Sequence, residues 1–131
     1  MTLSIDVDEL EELFEKAWSK KTSAWLDNWR EDNSAWGQCV ATALIIQDYF
    51  GGEILCTKID GVGPHCWNRL PHGVEVDLTR CQFPEGIVIP EGKARPRKMF
   101  TEDPDVFERY KILKTKIETL ILEKEERKLR G

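Results

Sequence analysis

Residues 36–50 read Trp36-Gly37-Gln38-Cys39-Val40-Ala41-Thr42-Ala43-Leu44-Ile45-Ile46-Gln47-Asp48-Tyr49-Phe50, and Gly51-Gly52 follow. A polar, tryptophan-rich loop here becomes an almost unbroken apolar run. Gly37 can adopt backbone conformations that other residues avoid, which suits a sharp entry into a helix. The glycine pair suits the left-handed cap that ends one. Val40, Ala41, Ala43, Leu44, Ile45, Ile46, Tyr49 and Phe50 point nearly all round, so this helix must be covered on most sides. Gln38 and Cys39 fall at its first turn, where unpaired backbone N–H groups point outward. The positive end of the helix dipole favours a thiolate there, and the same N–H groups can hold an oxyanion. The ordinary alternative is a buried cysteine acting as a small hydrophobe.

On the N-terminal side, Asp6 is placed to cap a first helix, with Glu9 in capping-box position. Val7, Leu10, Leu13, Phe14, Ala17 and Trp18 recur at helical spacing and make one apolar face. From Thr22 to Ser34 the chain is largely polar, with Trp25 and Trp29 four residues apart as in a short helix. These tryptophans and Trp36 read as core, with a substrate cleft as the alternative.

Three strands are expected after the helix, over Glu53–Ile59, His65–Leu70 and Val74–Leu78. Pro71-His72-Gly73 reads as a three-residue hairpin loop, which puts Leu70 opposite Val74, Trp67 opposite Asp77 and His65 opposite Thr79. His65, Trp67, Asp77 and Thr79 then share one face, expected to be the face turned toward Cys39. His65 and Asp77 are diagonal neighbours on it. A carboxylate beside an imidazole fixes its tautomer and stabilises its cation. Cys81 to Arg97 is a proline- and glycine-rich connector in which Ile87-Val88-Ile89 is the candidate edge strand. Lys93, Arg95, Arg97 and Lys98 read as a solvated basic loop. Asp103-Pro104 opens a last helix, whose stripe is Val106, Tyr110, Leu113, Ile117 and Leu120.

The chain has 131 residues, 40% hydrophobic and 33% charged, which suits one globular domain over 1–131. A net charge of -5 argues against nucleic acid and anionic membranes as partners. The acidic stretch Met1 to Glu15 does not resemble a signal peptide, and no run has the length of a membrane span, so a cytoplasmic location is expected. Thiols stay reduced there, so no disulfides are expected. Cys39, Cys56, Cys66 and Cys81 contain no Cys-x-x-Cys pair. A mixed zinc site drawing on His65, His72, Cys56, Cys66 or Cys81 has no spacing signature, so no metal or other cofactor is expected.

Gly37-Gln38-Cys39, His65-Cys66-Trp67-Asn68 and Asp77-Leu78-Thr79, in that order, resemble the core of the transglutaminase-like, papain-related superfamily. More closely, the chain from about Thr22 to Phe83 is similar to the small bacterial YunG-like family. The resemblance implies an α+β fold with a transglutaminase-like or papain-like core: N-terminal helices against a small antiparallel sheet, and a long C-terminal helix. It implies a Cys39 nucleophile, a His65 base and an Asp77 orienter; Gln38 occupies the place of the glutamine before the cysteine in transglutaminase motifs, and Gln38, Trp36 and Trp67 are the candidate oxyanion or substrate contacts. The intervals between the three motifs are shorter than in full transglutaminases, and Cys66 stands where those enzymes usually carry an apolar residue.

The function expected from this is a cysteine-dependent acyl transfer: hydrolysis of an amide, ester or thioester, deamidation, or transamidation. Its substrate would be an acyl or amide group on a small molecule, peptide or protein side chain. Two other classes compete. One is a non-catalytic binding or interaction module that retains the fold. The other is a metal-binding domain, disfavoured because His65 and Cys66 are adjacent on a strand and face opposite ways. A homodimer through the polar end of the last helix is a further expectation.

Overall fold

The computed structural model describes residues 5–131; residues 1–4, part of the acidic N-terminal stretch, lie outside the described residues. It is an α+β arrangement organised on the helix read first. The helices are α1 (Val7–Ala17), α2 (Cys39–Phe50), α3 (Arg97–Thr101) and α4 (Pro104–Arg130). The strands are β1 (Glu53–Ile59), β2 (Gly63–Arg69), β3 (Glu75–Val76) and β4 (Lys93–Arg95), in the order β3-β2-β1-β4 and antiparallel throughout.

Helix α2 is covered on two sides, as its composition demands. One apolar cluster joins it to α1 and α4 through Leu10, Phe14, Ile45, Ile46, Leu113 and Ile117. A second joins it to the sheet and α3 through Ala43, Leu44, Ile54, Cys66 and Phe100. Asp6 caps α1 by accepting from the Glu9 amide at 2.8 Å. The Glu9 side chain does not complete a capping box; it pairs with Lys124 at 2.8 Å, clipping α1 to α4. Asp48 fixes α4 and α3 on α2: it accepts from Tyr110 Oη at 2.6 Å and Lys114 Nζ at 2.7 Å, and pairs with Arg97 at 2.8 Å. Burial of the phenol and the Asp48 carboxylate push the Tyr110 pKa up to about 12. Arg97 also donates to the Leu44 carbonyl, so it is an anchor rather than part of a solvated loop.

The hairpin register is the one the loop dictates: Asn68 pairs with Val76, Arg69 with Glu75, and the Leu70 amide donates to Val74 at 2.8 Å. β3 is shorter than expected and stops at Val76. The fourth strand is Lys93–Arg95, not Ile87–Ile89. Its approach crosses the sheet at Gly92, where a Cβ would lie 2.6 Å from the Trp67 ring and 2.9 Å from Leu55. Only a residue without a side chain lets the connector pass there and add an edge to β1.

Cys56 lies directly opposite Cys66, their Cα atoms 4.2 Å apart, and the two are joined as a disulfide. This overturns the expectation of four reduced thiols. That spacing is typical of non-hydrogen-bonded cross-strand pairs, where side chains approach most closely, and the register sets it independently of compartment. No helix among the described residues is long and apolar enough to cross a membrane.

Candidate active site

The entrance to α2 is built by a loop folded back on itself. Gly37 has φ +74°, and a Cβ on it would meet Ser23 Oγ at 2.3 Å and the Ala24 nitrogen at 2.9 Å. The Ala24 amide donates to the Gly37 carbonyl, and Ser23 Oγ donates to that of Trp36 at 2.7 Å. Cys39 then begins the helix and is half-buried. Gln38 is fully buried, and its Nε2 donates to the Ser19 carbonyl at 2.9 Å, so its side chain turns into the core.

The imidazole of His65 is buried, with Nε2 2.6 Å from Asp77 Oδ2. The other carboxylate oxygen accepts from the Thr79 amide and hydroxyl, both at 3.3 Å, which fixes its orientation. The ring is stacked on Trp67 at 5.5 Å and meets the edge of Phe83 at 4.9 Å. A carboxylate at Nε2 assigns the ring proton to that nitrogen and leaves Nδ1 as the acceptor of the neutral form. Nδ1 is buried and has no hydrogen-bond partner.

Cys66 and Asn68, not His65, point at the body of α2: Asn68 Nδ2 donates to the Ala43 carbonyl at 2.9 Å. His65 lies on the opposite face of β2 and interacts with Cys39. Burial works against a charge on His65, yet interactions with Asp77 and Cys39 outweigh it and raise its pKa to about 9.

Two residues to which the sequence assigns no role complete the frame. Thr79 steers the Asp77 carboxylate. Gln82, buried, accepts from the Gly37 amide at 3.2 Å through Oε1, and its own carbonyl accepts from Asn33 Nδ2 at 3.1 Å. It therefore ties the loop before Cys39 to the segment after Asp77. A lone glutamine after a strand carries no sequence signal for this.

The tryptophans are not the expected core. Trp25, Trp29 and Trp36 are all half-buried. Trp36 lies against Trp25 at 4.8 Å, and its Nε1 is buried without a partner. Trp25 helps line a cavity of about 130 Å³ at Cys39, together with Pro64, Cys66 and Arg109. Trp67 lies elsewhere: it is buried and donates to Glu75 Oε1 at 2.7 Å. Its groove, about 310 Å³, contains Asp77 and Ile89–Glu91. Among the described residues no group of three or more His, Cys, Asp or Glu could hold a metal ion.

Two consequences are measurable. Cys39 and Cys81 are the free thiols, and Cys81 is the more exposed residue. Protein packed around its sulfur nevertheless pushes the Cys81 thiol up, and the Glu11, Glu15 and Asp77 carboxylates add to this. Iodoacetamide at neutral pH is therefore expected to modify Cys39 before Cys81, and Cys56 and Cys66 only after reduction. Peptide mapping over time tests this; Cys81 reacting first would show that exposure alone decides. The second concerns pH. His65 holds its proton more tightly in the folded chain, at about 9, than at its ordinary 6.5. Its contribution to stability is then complete below 6.5 and is lost as pH rises through about 9. Urea unfolding across this window should show a decline that shrinks in Asp77→Asn. A decline of equal size in the variant would exclude the pair as its source.

The structure is thus an α+β domain with a small antiparallel four-stranded sheet and a long C-terminal helix, in which Asp77 engages the buried His65. The profile of the family described as YunG protein matches residues 6–121, and the chain belongs to that family. It is 36% identical over 77 residues to a Bacillus subtilis (strain 168) protein named Uncharacterized protein YunG. That alignment covers 59% of this chain and 63% of the relative, so the chain spans less than two-thirds of the length of the relative it matches. No solved structure matches the chain.

Proposed function

We propose that this chain is a cysteine-dependent acyl-transfer enzyme on a transglutaminase-like, papain-related core. Cys39 Sγ attacks the carbonyl carbon of an amide, ester or thioester, and the carbonyl oxygen takes the negative charge. The backbone N–H of Cys39 is assigned to that oxygen, because the Gln38 side-chain amide is engaged by Ser19. The His65 imidazolium gives its proton to the leaving group as the tetrahedral intermediate collapses to a thioester. Neutral His65 then takes a proton from water, giving hydrolysis or deamidation, or from an amine, giving transamidation. Asp77 holds the ring in the tautomer this needs.

One observation supports this reading above the others. Asp77 engages Nε2 of the buried His65 at 2.6 Å and Cys39 favours the charge of the same ring, so the imidazole links the carboxylate to the thiol. The test is labelling with a panel of acyl electrophiles and mapping of the acylated residue. Acylation of Cys39, lost in Cys39→Ser, is the expected result. If iodoacetamide reaches Cys39 but no acyl donor does, the non-catalytic binding module replaces this reading.

A further inference from the structure

We propose that the cavity beside Cys39 is a binding site for a carboxylate, with Arg109 as its counter-charge, so that the acyl donor is a short chain bearing an anionic end. This rests on Cys39 being the nucleophile.

Arg109 is the charged residue in the lining; Trp25, Val40 and Pro64 supply apolar walls. Arg109 is half-buried, yet it donates no hydrogen bond and pairs with no carboxylate among the described residues. The other half-buried arginines are all engaged: Arg69 by Glu53, Arg80 by the Ile87 carbonyl, Arg97 by Asp48. Acidic neighbours on α4 do not satisfy it. Glu108 pairs with Lys111 at 3.2 Å, and Asp105, one turn earlier, makes no ion pair with it. Its guanidinium is thus free to take a ligand, and its planar fork matches a carboxylate. Its backbone is held in place, since Tyr110 and Lys114 on the same helix are both bonded to Asp48. The cavity, about 130 Å³, is the size of a few water molecules at about 30 Å³ each. It therefore has room for a carboxylate with one or two methylenes.

Iodoacetate and iodoacetamide are matched probes, since they transfer nearly the same group to a thiol and differ in charge. The quantity to measure is the ratio of their rate constants at Cys39, with Cys81 as the internal reference. The ratio at Cys39 is expected to exceed that at Cys81 and to fall about five- to tenfold in Arg109→Gln, with the iodoacetamide rate changing less than about twofold. Arg109→Lys should recover part of the loss. In the wild-type protein, propionate should slow modification of Cys39 by iodoacetamide and leave Cys81 unaffected; this covers a variant that fails to fold. A ratio unchanged by Arg109→Gln, or no protection by propionate, overturns the carboxylate site and leaves acylation of Cys39 by uncharged donors standing. Failure of both reagents at Cys39 instead removes the nucleophile on which the inference stands.

Discussion

Replacing His65 with alanine is expected to slow acylation of Cys39 at neutral pH by about 10²- to 10³-fold, the range typical of losing a positioned acid–base group. The imidazole supplies two things at once. Its cation is the partner a Cys39 thiolate needs, and its proton is what the leaving group needs. A neutral alkylating reagent uses the first and not the second, so iodoacetamide should be slowed less than an acyl donor with an amine leaving group. Asp77→Asn should slow acylation by about tenfold, because the ring remains but its tautomer is no longer enforced. The pH profile separates the two contributions. Acyl transfer should decline as pH rises through about 9, where His65 loses its proton, whereas alkylation should not decline there. Rates measured by mass spectrometry across the pH series check both points. Acylation unchanged by His65→Ala would end the enzymatic reading.

Gly37→Ala is expected to cost about 3 kcal/mol, combining a left-handed backbone with a clash against neighbours that cannot move. At φ +74° the new Cβ would strike Ser23 Oγ and the backbone of Ala24. Relief would require the loop to peel from the α2 entrance and break the Gln82 bond. Gly61 provides the control: its φ is +78° but nothing lies within 4 Å, so Gly61→Ala carries the backbone cost alone, about 1 kcal/mol. Urea denaturation of both variants measures the difference. Equal costs would mean that Gly37 is required for its dihedral angle only, not for the close approach of the loop.

Where neighbouring residues decide, the chain was legible. Asp6 and Asp103 announce helix starts, Gly51 ends α2, and Pro71-His72-Gly73 imposes the β2–β3 register on which the His65–Asp77 bond depends. Where distant segments meet, it was not. The edge strand was sought at Ile87–Ile89 from β propensity, but the pairing went to the segment after Gly92, where the chain could cross Trp67. The Cys56–Cys66 bond follows from a register that no cysteine spacing reveals. The packing of β2 on α2 was hidden for the same reason. Alternation was read correctly along the strand, but which face α2 would cover depends on packing, and Cys66 and Asn68 took that face. Gln82 and Arg109 lie in segments of unremarkable composition, and their roles exist only once loops 33–37 and 80–82, or α4 and α2, are brought together.

Because α2 is wrapped by both apolar clusters while Cys39 opens it, the site has little freedom to evolve by loosening. A change that widened the helix entrance from within would draw on the same contacts that keep the chain folded. Variation is tolerated instead on the rim. Trp25 lies on the surface loop, Pro64 near the start of β2 and Arg109 on a half-buried face of α4, outside both clusters. Members that differ in preferred substrate are expected to differ there and to keep the helix behind the cysteine unchanged.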